Sequence, residues 1–364
     1  MNNREAVTSG QMAALLFVFT TGSTILYIPN PLMASAGSGA WLSWILSGLC
    51  GLVILSSMLF LAKQHPGHTL VECSMKMVGY GLTVVLMLPY LLFALLLSCY
   101  IYFSVGFFFT STMMKETPLY VFNGLIAFAS AVTARAGMET IARMFTILLT
   151  ILTGAIMLVL LLGIPNYHVD FLLPVMPGGF KPQLHGAYLV NGFLYGDFIV
   201  FAMLFSYIRV HNKKVRIKPV FIAYLCNWII LLFVTLCTLM ALGPMTNEFR
   251  YPIYILARLI SIQEIVERGE SVIGISLVAG SYMKATLTLY ALNLTVAKLL
   301  KVRDHVPLIV PLALLGFLLS LVTVKHEAAF NEVLTMWPFV TFAASLPIYI
   351  LCILTLFKKK RPSL

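Results

Sequence analysis

Charge is what this sequence has least of. Charged residues make up 10% of its 364 positions, and only 13 residues are Asp or Glu, whereas soluble domains are about 25% charged. With 60% hydrophobic residues and a mean hydropathy of +0.96, no soluble fold of this size can hide the apolar surface, which places the chain in a bilayer. The N-terminal MNNREAVTSG lacks the basic flank and small-residue cleavage site of a signal peptide, so the first apolar run is read as a mature helix.

Other absences narrow the function. Cys50, Cys99, Cys226, Cys237 and Cys352 lie inside apolar runs and Cys73 lies in a loop placed in the cytoplasm, so no disulfide framework is expected. There is no phosphate loop, zinc-protease helix or nucleophile elbow, and an enzyme reading has no support. His65 and His68 have a proline between them and no Cys or carboxylate cluster nearby, so neither a metal nor a cofactor is expected. The net charge of +11 could suggest nucleic acid, but the basic residues sit at helix ends, where topology in a membrane puts them.

What the chain does have is a succession of apolar runs. They predict an all-α polytopic membrane protein, a single permease-like domain over 1–364, with about ten spans at 11–33, 40–62, 81–110, 119–134, 142–164, 186–208, 219–242, 271–297, 306–323 and 335–357. With the N-terminus inside, 17 of the 24 Lys and Arg fall on the cytoplasmic side and 6 on the other, with Lys284 left within a span. Both termini are therefore expected in the cytoplasm, the terminal KKKRPSL anchoring the last span at anionic membrane lipid. On the outer side, 165–185 is long and Pro/Gly-rich. The segment 248–270 has Ile255, Leu259, Ile262 and Val266 at helical spacing, which predicts an interfacial helix with a surface pair between Glu264 and Arg268, a support by default or a gate over the site.

Two spans carry interruptions. FTTGSTILYIPNP in the first should unwind near Gly22, because Gly22 permits unusual dihedrals while Pro29 and Pro31 lack an amide donor. The sixth contains Asn191, Gly192, Gly196 and Asp197 in an otherwise apolar stretch. Each break opens one half of the chain, about 11–164 and 186–357, which is the pattern of an inverted five-plus-five repeat. Half-helix N-termini and unwound carbonyls at such breaks suit the carboxylate and ammonium of an amino acid, although glycines can also serve close helix packing.

Lys284 costs about 2.5–3.5 kcal/mol at mid-span unless it faces protein or water. Gly280, Ser281, Lys284, Thr288, Ala291 and Thr295 form a small, polar face that should meet the first break. There the ammonium can bond unwound carbonyls, either as a proton-coupling group or as a structural tether. Asp197 reads as a cap for the inner half-helix, with a ligand for a substrate ammonium or a proton acceptor as the alternatives. Tyr100 and Ser98 are cavity candidates on the third span.

QMAALLFVFTTGSTILYIP, FLYGDFIVFAMLFSYI and above all YPIYILARLISIQEIVERGES, running into the eighth span with Lys284 and Tyr290, resemble the spore germination permease family. This family comprises the B-subunits of nutrient germinant receptors within the amino acid-polyamine-organocation superfamily. The resemblance implies a LeuT-like fold with broken helices 1 and 6, the spore inner membrane, and a complex with an A-subunit and a lipoprotein C-subunit. It also implies a small amino-acid-like germinant bound by Gly22, Ser23, Thr24, Ile25, Phe193 and Asp197, with Tyr100 nearby. The stretch Thr21-Gly22-Ser23-Thr24 departs from superfamily transporters, which often have a second glycine here, and its bulkier floor should favour a small ligand.

The function expected is germinant sensing that triggers germination. A proton-coupled amino-acid transporter is the alternative, and a scaffold that binds nothing would leave both breaks unexplained. The topology predicts that a cysteine at Asn212 stays unreactive to an impermeant thiol reagent added outside intact cells. Labelling there would overturn it.

Overall fold

In the computed structural model, residues 5–22, 24–174, 176, 178–210, 215–259, 269–323 and 327–359 are described. Among them seven helices are long and apolar enough to cross a membrane, and the shorter apolar helices Ser9–Thr21, Leu119–Arg135 and Val306–Val322 complete ten spans. The first span is Ser9–Thr21, Thr24–Tyr27 and Pro29–Ala36, the second Ala40–Gln64, the third Tyr80–Thr112, the fourth Leu119–Arg135 and the fifth Met138–Leu162. The sixth is Lys181–Tyr207, the seventh Lys218–Leu242, the eighth Gly269–Leu299, the ninth Val306–Val322 and the tenth Glu327–Lys359.

The packing follows a five-plus-five exchange. The first half-helix of span one lies on span seven as the start of span six lies on span two, and spans three and eight, which the exchange interconverts, pack on each other. Spans six and eight are the most enclosed: 78% and 72% of their most apolar stretches are buried, against 28–44% in the other long helices. Protein in place of lipid around them accommodates the polar residues these two spans carry, Asp197 and Lys284 among them.

Local chemistry shapes span one. Thr8 and Gln11 form a reciprocal capping box at its start. At the other end of the first segment the Thr20 and Thr21 hydroxyls donate back to carbonyls one turn earlier, and the helix stops at Gly22 (φ −43°, ψ −82°). Beyond it, Pro29 and Pro31 cannot donate to the carbonyls of Ile25 and Tyr27, so the chain resumes as two short helices with a bend at Ile28. The interruption of span six takes another form. The chain stays wound, as a π-turn over Asn191–Tyr195 followed by a 3-10 stretch over Gly196–Val200. There is no open gap with free amides.

The small face of span eight does meet the first break. Gly22 lies against Gly280 so closely that a Cβ on Gly22 would stand 2.7 Å from the Gly280 carbonyl oxygen. Gly22 is thus where two backbones touch, and the packing role of this glycine is the one the structure displays.

Two segments differ from expectation. Leu70–Val78, read as loop, is a helix begun by the capping box of Thr69 and Glu72. Glu72 also accepts from Lys298 of span eight (2.7 Å). Burial pushes the Glu72 carboxyl up, but the Lys298 and Thr69 hydrogen bonds outweigh it and hold the group below its ordinary value. The segment expected to be an interfacial helix contains a helix at Pro252–Leu259, but its buried side is Ile253, Leu256 and Ala257, while Leu259 is exposed. It packs on spans one, seven and eight, because Tyr251 just before it inserts between Tyr27 (5.4 Å) and Phe108 (5.0 Å) and sets the phase. Ile262, Glu264, Val266 and Arg268 lie outside the described residues, as does Asn212.

The N-terminal segment straps one face of the bundle. Val7 pairs as a single β-bridge with Ile208 after span six, through Val7 N to Tyr207 O (2.9 Å) and Arg209 N to Val7 O (2.8 Å). Glu5 accepts the Met138 amide (2.7 Å) at the start of span five, where Gly137 adopts φ +85° and a Cβ would strike the Glu5 carboxylate. Tyr290 of span eight donates to the Tyr207 hydroxyl (3.0 Å), with the Glu5 carboxylate 3.5 Å away.

Gly22→Ala and Gly280→Ala should each destabilise the protein by about 1–3 kcal/mol through overpacking of the helix contact. Thermal melting in detergent should show both below wild type. Unchanged melting would mean that the two backbones separate freely.

Candidate ligand-binding site

Beside the first break is a cavity of ≈ 80 Å³. At roughly 10–15 Å³ per water in this measure it has room for about six water-sized atoms. Span one contributes Thr24, Tyr27, Ile28 and Pro31; span three contributes Leu97, Tyr100, Ile101 and Ser104. Phe193 and Asp197 come from span six, Lys284 from span eight, and Val333 and Trp337 from span ten. The walls are mainly apolar and aromatic, with a few convergent polar groups, the usual composition of a small-molecule site.

Its charged feature is an ion pair. Lys284 Nζ donates to Asp197 Oδ2 at 2.5 Å, with the two side chains 5% and 2% exposed. The other oxygen, Oδ1, accepts from the Trp337 indole N–H (3.1 Å). Lys284 Nζ also stands 5.2 Å from the centroid of the Phe19 ring on span one, a cation–π contact. Trp337 is held edge-on against Tyr100 (5.1 Å, 84°), and Tyr27 ties the first span to the third by donating to the Ser104 carbonyl (2.8 Å). These bonds fix the carboxylate from two directions and leave the ammonium at the end of a flexible stem.

The sequence candidates divide accordingly. Thr24, Tyr100, Phe193, Asp197 and Lys284 line one cavity. Gly22 faces span eight, Ile25 is buried without lining the cavity, and Ser23 lies outside the described residues. Ser98 turns its hydroxyl back to the Ala94 carbonyl. Thr288 sits one turn from the site, its hydroxyl donating to the Lys284 carbonyl (2.8 Å). Two expected roles are corrected. Asp197 does not cap a half-helix, since both its oxygens are engaged by Lys284 and Trp337. Lys284 does lie against span one, through Phe19, but its hydrogen bond goes to Asp197 and not to unwound carbonyls. A carboxylate satisfies a buried ammonium better than carbonyls do, because it supplies the opposite charge as well as an acceptor.

Trp337, Tyr27 and Ser104 were absent from the sequence expectations. The Trp337-Pro338 step at the start of the tenth apolar run was the available signal: Pro338 packs where a Cβ on Gly192 would be, 2.5 Å away, which brings span ten against the π-turn.

Ten spans in two exchanged halves around a discontinuous first helix define a polytopic membrane protein of the LeuT fold. A solved structure, "Crystal structure of MhsT in complex with L-phenylalanine", superposes with a TM-score of 0.72 over 97% of this chain and 89% of that one, at 13% identity. Within that fold the chain belongs to the spore germination protein family, whose profile matches residues 6–329. Spore germination protein KB of Bacillus subtilis is 24% identical over 96% of this chain and 95% of its own length. Spore germination protein YndE of the same organism is 22% identical, with 81% of each chain covered. Spore germination protein XB of Bacillus anthracis is 23% identical over 76% of this chain and 77% of its own.

Trp337→Phe keeps an aromatic ring but removes the donor to Asp197. It should cost about 1–3 kcal/mol of stability, since the carboxylate oxygen is then buried unpaired. Chemical denaturation in detergent measures this, and a stability equal to wild type would show that the indole N–H is dispensable.

Proposed function

We propose that this protein is the germinant-sensing membrane subunit of a spore nutrient receptor, which binds a small amino-acid-like ligand in the cavity between spans one, three, six, eight and ten and so triggers germination. The observation that carries the reading is the small, mainly apolar chamber with a buried Asp197–Lys284 pair at the broken first span of a permease fold. Family membership supports the germination role, and the amino acid named with MhsT supports the ligand class by analogy of fold. Thr24, Tyr27, Tyr100, Phe193, Asp197, Lys284 and Trp337 form the ligand shell in this reading. Gly22, Ser23 and Ile25 frame it, and Thr288 steadies the turn that bears Lys284. The receptor sits in the spore inner membrane with both termini cytoplasmic, alongside an A-subunit and a lipoprotein C-subunit.

Ligand occupancy acts by favouring one arrangement of the spans over another, and it can do so only through contacts that differ between them. The test is direct binding of a panel of the common amino acids to the purified chain, joined to germination assays on spores carrying Ile101→Trp. That substitution fills the cavity from span three while leaving the backbone contact of Gly22 intact. Membrane abundance should be normal and the amino-acid response at least about tenfold less sensitive, from the loss of the binding volume. Normal sensitivity in Ile101→Trp, or no amino acid bound by wild type, would refute the assignment. Concentrative uptake by the chain in proteoliposomes would instead identify a carrier.

A further inference from the structure

Of the thirteen residues lining the cavity, Asp197 and Lys284 are the two that carry charge. We propose that this pair is a receptor for both ends of a zwitterion, opened by exchange with an α-amino acid that has a short apolar side chain. The inference rests on the cavity being the ligand site and adds the chemistry by which it selects.

Charge balance is the first argument. The pair is neutral as a unit and almost sealed from solvent. A net cation or net anion would enter a chamber with no charge left over to meet it, and a buried charge without a partner is strongly disfavoured. An α-amino acid brings one charge of each sign. Its ammonium donates to Asp197 Oδ2 in place of Lys284, and its carboxylate accepts from the displaced Lys284 ammonium. One ion pair becomes two, and every charge remains compensated.

The mobility of the two partners is the second argument. Asp197 is held by the Trp337 indole as well as by Lys284, so it stays in position when the ammonium leaves. Among the described residues the Lys284 ammonium has Asp197 as its one hydrogen-bond partner, and its four-carbon stem can turn to meet a carboxylate. The remaining walls, including Ile28, Leu97, Ile101 and Val333, are aliphatic. Together with the small volume they select a short apolar side chain. Because Asp197 belongs to span six and Lys284 to span eight, exchange replaces a direct 2.5 Å contact by a bridge of roughly 8 Å, two charge-assisted bonds of about 2.8 Å with the ligand between them. The ligand's charges thus set the separation of the Asp197 carboxylate and the Lys284 ammonium.

The test is calorimetric binding to the purified full-length chain of alanine, alaninamide, propionate and ethylamine, which carry both charges, the cation alone in two forms, or the anion alone. Alanine should bind at least about a hundredfold more tightly than any of the others, as expected when a site built for a polar group meets an analogue lacking it. Lys284→Met should reverse the order in favour of ethylamine, and Asp197→Asn in favour of propionate. Should either variant fail to fold, the neutral double variant Asp197→Asn/Lys284→Met keeps the balance of charge and should lose alanine binding with no gain of either analogue. If alanine and the singly charged analogues bind wild type within tenfold of one another, zwitterion exchange is overturned while the site stands. If no amino acid in the broader panel binds, the site assignment and this inference fall together. If larger amino acids bind and alanine does not, the short side-chain selection is overturned.

Discussion

The contact on which the arrangement of this bundle depends is the ion pair of Lys284 with Asp197. Either charge alone in the middle of a membrane protein would be a liability of several kcal/mol, whereas together, with the Trp337 indole on the second carboxylate oxygen, they are satisfied. That requirement holds spans six and eight side by side at one level. Span one must then pass beside both, and it does so where Gly22 and Gly280 present no side chains to each other. The π-turn of span six adds a residue to the winding just before Asp197, which turns the side chains that follow relative to those before it. Charge satisfaction, backbone contact and local unwinding are thus one solution to one packing problem.

The same constraint explains why the chamber is so sparsely polar. Several polar groups nearby find partners within their own or adjacent helices, as Thr288 does with the Lys284 carbonyl and Tyr27 with that of Ser104. What faces the empty space is mostly carbon. A chamber of this kind combines a single strong dipole with a nonspecific apolar surface, so discrimination by charge pattern and discrimination by size come from different residues.

The legible features were those whose cause lies within a few residues. The first break follows from a glycine among hydroxyl residues and two prolines without amide donors, all within one stretch of sequence. The need of Lys284 for protein around it follows from its position in an apolar run. Its partner did not follow, since Asp197 is 87 residues away, and Trp337 is 140 residues from Asp197. Nothing local tells a lysine whether it will meet carbonyls or a carboxylate. The winding of span six was likewise open, because Asn and Gly tolerate both a gap and a π-turn. The phase of the Pro252–Leu259 helix depended on Tyr251 finding Tyr27 and Phe108 across the fold, which its own apolar spacing does not encode. In place of the expected loop, Thr69 and Glu72 begin a helix with a capping box; hydropathy alone does not distinguish the two, although TLVE carries the local signal of a helix start.

The strap at the start of the chain has a consequence for biogenesis. Val7 joins residues some 200 positions later, and Glu5 approaches Tyr290 across 285. This segment therefore cannot take its final place until the eighth span, which follows it in synthesis, has entered the membrane. Until then the strap residues wait without their partners, and closure of that face is an event delayed by sequence separation. The strap is thereby fastened only once the helices it touches, spans five, six and eight, have all arrived.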